Sequence, residues 1–255
     1  MPQFQLHPAT EADFPELIST LWESFETPRQ GLLRLFFPIL DNDRPGSLQT
    51  CIAGQLDEVR EFQKPGAPGE LAWVKIVDTH AQGRIVAAAK WFFYHRDPNE
   101  DSHAENPEGI VADWYPEGVA REFATSAVRL FERPREEMAR RAHAFLHIAF
   151  TVPTYRGRGL ARMFMEWGLR IADERGLEAW LDASEFGAPL YENFGFRRVL
   201  VNAVVPVPGR ELGEDERREW EECEAVMLPI VYTLMWRPKG GVFVEGAVKP
   251  WEVDS

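Results

Sequence analysis

One stretch of this 255-residue chain narrows its fold more than any other. Ala144–Val152 reads as a strand, and Pro153 ends it because proline offers no N–H to a β-ladder. Thr154–Arg158 follows as a basic turn containing glycine. Leu160, Met163, Phe164, Trp167 and Ile171 then form one apolar stripe at helical spacing, with Arg162, Glu166 and Arg170 on the other side. Gly176 ends that helix. Strand, basic glycine turn and amphipathic helix in this order point the unpaired amides of a helix start at an anion, which the helix dipole favours there. Gly157 and Gly159 leave the approach free of side chains, and Arg156 and Arg158 add positive charge.

The flanking segments predict the layers around this unit. Phe4–His7 reads as a short strand, and Thr10 with Asp13 as a helix start. The helix runs through Phe14, Leu17, Ile18, Leu21 and Trp22, and a second covers Leu32–Ile39. Asp41–Gly69, rich in Pro, Gly and charge, reads as a loop with room for one short helix. Leu71–Asp78 and Arg84–Tyr94 are strands joined at His80–Gly83, the second suited to a central position covered on both faces. His95–Glu117 reads as an irregular insertion and Glu122–Arg141 as a helix. Then come a strand at Ala179–Ala183, a short helix at Pro189–Phe194, a strand at Arg197–Val205, a charged helix at Gly213–Glu224 and a last strand at Met227–Trp236. This order predicts an α/β architecture, a mixed sheet with helices on both faces. It fits one domain over 1–237, with insertions at about 41–69 and 95–141 and a tail over 238–255.

Charge and cysteine usage limit the partners. Lys and Arg number 28 against 41 Asp and Glu, a formal charge of −13. Such a field repels nucleic acid and favours a cationic or amine-bearing molecule, although it also serves solubility alone. Cys51 and Cys223, far apart in sequence, suggest free thiols in a reducing compartment. Met1–Thr10 lacks the pattern of a signal peptide, and no apolar run reaches the ~20 residues that cross a bilayer. The expectation is a cytoplasmic protein with no membrane partner. The 6 His are scattered, and no His/Cys cluster has metal-ligand spacing. The sequence leaves the oligomeric state open, a homodimer included.

Three phosphate loops compete for Arg156–Ala161. A dinucleotide loop needs a third glycine where Arg162 stands, and a nucleoside triphosphate loop needs Gly-Lys-Ser/Thr, which is missing. The third is Arg/Gln-x-x-Gly-x-Gly/Ala, and Thr151-Val-Pro-Thr-Tyr-Arg-Gly-Arg-Gly-Leu-Ala161 resembles that cofactor motif in the GNAT superfamily of N-acetyltransferases. Leu181-Asp-Ala-Ser184, Gly187, Leu190-Tyr191 and Gly195-Phe196 look like the same superfamily's closing motif. Thr151-x-Pro153 with Ala183-Ser184-x-x-Gly187-x-x-Leu190-Tyr191 is similar to a form common in fungal members. The resemblance spans roughly Ala144–Phe196.

The resemblance implies a sheet splayed between Ala144–Val152 and Ala179–Ala183, with acetyl-coenzyme A in the gap. Its pantetheine would pair with the backbone of Phe150, Thr151 and Val152, and its pyrophosphate with the amides of Arg156, Gly157, Arg158, Gly159, Leu160 and Ala161. Ser184 would either bond the pantetheine arm or cap the next helix. Tyr191 matches the family's general acid, a phenol that protonates the leaving thiolate. The base is open: alternation puts His143, Phe145, His147, Ala149 and Thr151 on one face, and His147 titrates near neutrality. Phe145 stands where relatives often carry a carboxylate, and Asp113, Glu117 and Glu122 are acidic but unplaced. Trp114 and Tyr115, beside Pro116, are the better candidates for an acceptor pocket. The expected activity is acetyl transfer to a primary amine, of a small molecule or a peptide, by direct attack. A non-catalytic acyl-coenzyme A sensor, or transfer to a hydroxyl or of a longer acyl group, stays open beside it.

Overall fold

The computed structural model describes residues 2–100, 109–246 and 248–252. Part of the stretch read as an irregular insertion, 101–108, lies outside the described residues, as do 253–255 of the tail. The strands are β1 (Phe4–Pro8), β2 (Gly69–Asp78), β3 (Arg84–Tyr94), β4 (His143–Thr151), β5 (Glu178–Ala183), β6 (Arg197–Ala203) and β7 (Val231–Arg237). They form one seven-stranded sheet in the order β1-β2-β3-β4-β5-β7-β6. Every pairing is antiparallel except β4 with β5. β3 is buried along its whole length beyond Arg84, as its near-unbroken apolar run requires.

The helices are α1 (Phe14–Glu26), α2 (Gly31–Phe36), α3 (Arg44–Phe62), α4 (Val119–Met138), α5 (Leu160–Glu174), α6 (Ala188–Glu192) and α7 (Glu214–Met227). α5 covers one face of the sheet. Its buried residues Leu160, Phe164, Met165, Leu169 and Ala172 pack on Ala89, Trp91, Leu146 and Leu181. Its outer side carries the pairs Arg162–Glu166 and Arg170–Glu174 at 2.6 and 2.7 Å, four residues apart. The opposite face is covered in two halves. α1 and α3 lie over one, α2, α4 and α7 over the other. A 3-10 turn at Glu11–Asp13 leads into α1, and the Thr10 amide and hydroxyl both donate to the Asp13 carboxylate, at 2.7 and 2.9 Å.

Asp41–Gly69 is a correction, because it holds the 19-residue helix α3. The Asp43 carboxylate accepts the Gly46 amide, and Pro45 sits in the first turn, where its missing N–H costs nothing. Leu48, Ile52, Leu56 and Val59 supply a narrow stripe onto α1 and the sheet. The surrounding charge hides that stripe from a reading by composition. In addition, α7 runs on to Met227, so the last strand starts only at Val231. The tail turns back, and Trp251 packs its ring 5.7 Å from Trp180 and 5.5 Å from Trp236.

Candidate active site

The two parallel strands part company. β4 and β5 pair only from His143 opposite Glu178 to Leu146 opposite Leu181. Past that rung each keeps its outer neighbour: β4 stays with β3 to Thr151 opposite Ala87, and β5 with β7 to Ala183 opposite Thr233. The inner edges therefore open into a fork in the middle of the sheet. Ladder groups facing such a gap have no strand to bond, and backbone polar groups away from water need partners. The Val152 amide is not among them, since it donates to the Val86 carbonyl at 2.9 Å and so points to β3. Alternation along the strand turns Phe150 the same way and Thr151 into the fork.

A β-bulge marks the crotch. Trp91 pairs with Leu146 and Lys90 with Ile148, so His147 is an extra residue without a partner on β3. This overturns the simple alternation. Phe145 and His147 stay on the face away from α5, but Ile148 and Phe150 join that face while Ala149 packs under α5.

Directly after β4 comes the glycine turn. Gly157 and Gly159 hold φ of 75° and 79°, the left-handed region that glycine enters without penalty. Gly157, Arg158 and Gly159 are exposed, and a Cβ at either glycine would meet nothing within 4 Å. The amides of Gly157, Arg158, Gly159, Leu160 and Ala161 find no acceptor among the described residues. The Arg156 amide does, bonding the Pro153 carbonyl at 3.3 Å. Both arginines brace the loop with their side chains. Arg156 donates to the carbonyls of Thr151 and Ser24 at 3.2 and 2.9 Å, and Arg158 to that of Thr154 at 3.2 Å. The free donors here are thus main-chain groups at the start of a 15-residue helix.

Charged groups collect under the fork on the face away from α5. Lys90 is fully buried and bonds Gln55 at 3.2 Å and Glu58, both on α3. Arg135 of α4 bonds Glu132 and places Nε 3.6 Å from the Asp182 carboxylate of β5. His147 lies between these two cations. Burial first, then Lys90 and Arg135, holds its pKa well below the usual value, so the ring is neutral. Burial pushes the Asp182 carboxyl up to about 7 against the pull of Arg135. Sequence alone assigns no role to Asp182, which enters only as part of the closing motif, nor to Lys90 or Arg135. The signal was present in two of them: a carboxylate inside Ala-Trp-Leu-Asp-Ala, and a lysine inside Ala-Ala-Ala-Lys-Trp-Phe-Phe.

On the α5 side of the sheet stands Tyr191, packed edge-on to Phe196 with centroids 6.2 Å apart. Burial raises its phenol to about 12, and its hydroxyl has no hydrogen-bond partner among the described residues. Ser184, exposed just past β5, accepts the amide of Gly187, the residue before α6, at 3.2 Å. The expected pocket aromatics lie elsewhere. Trp114 Nε1 donates to the Leu35 carbonyl at 2.9 Å, and the buried Tyr115 hydroxyl to that of Arg34 at 2.5 Å, so both fasten α2. Indole and phenol donors are commonly spent this way in a core. Glu122 pairs with Arg210 at 3.1 Å, Glu117 with Arg121 at 3.6 Å, and Asp113 is exposed. None of the three reaches the fork. Cys51 and Cys223 are free and buried, with burial pushing each thiol up to about 11. Neither serves as a nucleophile in that state. Among the described residues no group of His, Cys, Asp and Glu could hold a metal ion, and no helix is long and apolar enough to cross a membrane.

A forked mixed sheet with an amide cradle at the mouth defines a fold with known relatives. The profile of the Acetyltransferase (GNAT) family matches residues 66–196, and the chain belongs to that family. Solved structures repeat the architecture at low identity. Arylalkylamine N-acetyltransferase 2 from Aedes aegypti is 12% identical with a TM-score of 0.57, over 93% of this chain and 99% of that one. A Drosophila melanogaster polyamine N-acetyltransferase, which catalyses the formation of N-acetylagmatine, is 14% identical with a TM-score of 0.53, over 91% and 97%. The C-terminal condensation domain of Ebony is 17% identical with a TM-score of 0.53, over 93% and 99%. No curated protein matches the chain.

Proposed function

We propose that this chain transfers an acetyl group from acetyl-coenzyme A to the nitrogen of a primary amine, on a small molecule or a peptide, by direct attack. The observation that carries the reading is the row of unpartnered amides from Gly157 to Ala161 at the mouth of the β4–β5 fork. The residues present fit the cofactor. A pyrophosphate suits those amides, where no Cβ intrudes, and a pantetheine carbonyl suits the Thr151 amide, while the Thr151 carbonyl already accepts from Arg156. When bound, acetyl-coenzyme A supplies an activated acetyl group and a thiolate leaving group. The chain's own residues position it and handle protons. His147, neutral at the bulge, accepts a proton from the amine nitrogen. Tyr191, fully protonated at neutral pH, donates one to the departing sulfur. Ser184, just past β5 on the other prong, bonds the pantetheine arm once its hydroxyl is released from the Gly187 amide. The formal charge of −13 favours a cationic acceptor, and the arylalkylamine and polyamine enzymes of the same fold acetylate such molecules. A cytoplasmic setting suits the two free thiols.

The direct test is thiol release from acetyl-coenzyme A across a panel of arylalkylamines, polyamines, amino acids and peptides, with the acetylated product weighed by mass spectrometry. Release that depends on an amine supports the reading. No release with any amine, or no shift in melting temperature with coenzyme A, defeats it. Within that assay Tyr191→Phe is expected to lower kcat about 100-fold, the lower end for a general acid, and to leave coenzyme A affinity unchanged. Turnover at the wild-type rate would remove Tyr191 from the chemistry.

A further inference from the structure

We propose that Asp182 is a further catalytic residue of this chain, the carboxylate that takes the first proton from the acceptor's ammonium group. The assignment rests on the amine-acetylation reading above. Register carries it. Leu146 opposite Leu181 is the last rung between β4 and β5, so His147 and Asp182 are the first residues past it, one on each prong. They also share a face. Ala179, Leu181 and Ala183 pack under α5, which puts Trp180 and Asp182 on the other side, and His147 packs there, its ring tilted, against Phe92 and Phe145 at 5.4 and 5.5 Å. Two titratable side chains therefore flank the crotch of the fork on one face, opposite the helix α5.

Their polar atoms are incompletely used. Asp182 Oδ1 and His147 Nδ1 are buried without a hydrogen-bond partner, a condition that native structures seldom leave unexplained. Neither residue is sealed: the Asp182 side chain is 10% exposed, and His147 is partly exposed. Arg135 pairs with the Asp182 carboxylate through Oδ2 only, which leaves Oδ1 without a partner. Arg135 spends its guanidinium on Glu132 and leaves Nε unbonded, 3.6 Å from Asp182. The ionisable groups that act on the pair are Arg135 and Glu132 of α4, Lys90 of β3 and Tyr232 of β7; Glu58 of α3, Tyr94 of β3 and His143 of β4 act on those neighbours.

The chemistry needs two proton acceptors. A primary amine of ordinary basicity, with a pKa near ~10 like a lysine, arrives as the ammonium ion. One N–H bond must break before attack, with its electron pair staying on nitrogen and the proton passing to Asp182, which becomes the neutral acid. That acid returns the proton to solvent after the product leaves. The second proton leaves nitrogen as the amide bond forms, when it is far more acidic, and a weak base such as His147 is then enough. Burial raises Asp182 to about 7, which makes it a stronger base than an ordinary carboxylate while still half ionised at neutral pH.

The test is the pH dependence of kcat/KM, with the best amine of the panel, for the wild type, Asp182→Asn and Asp182→Glu, beside coenzyme A calorimetry. The ionised carboxylate is the active form, so wild-type kcat/KM is expected to rise with pH through an apparent pKa of about 7. Asp182→Asn is expected to lose about 100-fold or more, together with that limb, while coenzyme A affinity holds. Asp182→Glu should keep the limb. A wild-type profile flat through that range overturns the assignment, as does Asp182→Asn turning over at the wild-type rate. If Asp182→Asn does not fold, the wild-type profile and Asp182→Glu still decide. A wild type that acetylates no amine overturns the underlying reading and this assignment with it, and is recognised without any variant.

Discussion

Gly159→Glu is expected to abolish coenzyme A binding in a chain that still folds. Gly159 sits at φ 79° immediately before α5, among the amides that have no acceptor. A side chain there carries a penalty of roughly 1–2 kcal/mol for the left-handed backbone, but it projects into open space and clashes with nothing. The folded state should survive that cost. The ligand should not be retained. A carboxylate would compete for the same amides and repel the pyrophosphate, and hydrogen bonds to charged groups contribute about 1.5–3 kcal/mol each. Loss of two of them lowers affinity about 100-fold or more, before repulsion is counted. Isothermal calorimetry with coenzyme A measures this, with circular dichroism to verify the fold. Wild-type affinity in the folded variant would mean that the turn is not the phosphate site, and the proposed activity would lose its foundation.

The second large effect concerns stability. Gly168 lies on the buried side of α5, where a Cβ would stand 2.2 Å from Trp91 Cε2 and 2.6 Å from its Nε1. Trp91 is fully buried and stacks on Phe93 with centroids 6.1 Å apart, so the indole has nowhere to retreat. The helix must lift instead, and lifting it separates Leu160, Phe164 and Leu169 from the sheet. Overpacking of this kind costs typically 1–3 kcal/mol, and Gly168→Val belongs at the upper end at about 3 kcal/mol. At roughly 2–4 °C per kcal/mol for a chain of this size, the melting temperature should fall by on the order of 10 °C. Combining Gly168→Val with Trp91→Ala should recover part of the loss, because the smaller residue vacates the contested volume. Thermal melts of the single and double variants check both statements. A single variant as stable as the wild type would show that α5 does not rest on Trp91. The two substitutions act on one helix in different ways, Gly159 at its open end and Gly168 where it sits on the sheet.

Lys90 and Asp182 gain their meaning only from elements distant in sequence. Each is one ionisable residue in an apolar strand, and a strand by itself does not say which neighbour lies across the face. Only α3 brings Glu58 to Lys90, and only α4 brings Arg135 to Asp182. α3 itself was hidden because its apolar stripe is narrow and set among charges. Trp114 and Tyr115 looked like loop aromatics free to line a pocket, yet the carbonyls of Leu35 and Arg34 claim their donors. His147 was placed on a face by strict alternation, which a single extra residue in the strand undoes from Ile148 onward.

What the amino-acid order determined alone was local and periodic. The stripe from Leu160 to Ile171, the proline after β4, and the paired glycines at 157 and 159 act over a few residues, so the chain specifies a strand, a turn of open amides and a helix start without reference to anything distant. The unbroken apolar run of β3 likewise announced a central strand. The tertiary structure decided what depends on register and on approach from far away in sequence. It set where β4 and β5 separate, which side His147 and Asp182 face, and how strongly burial moves their protons. These are long-range quantities, because a strand's inner edge is open or closed only in relation to its neighbour, and a carboxylate's basicity depends on how much water the surrounding helices exclude.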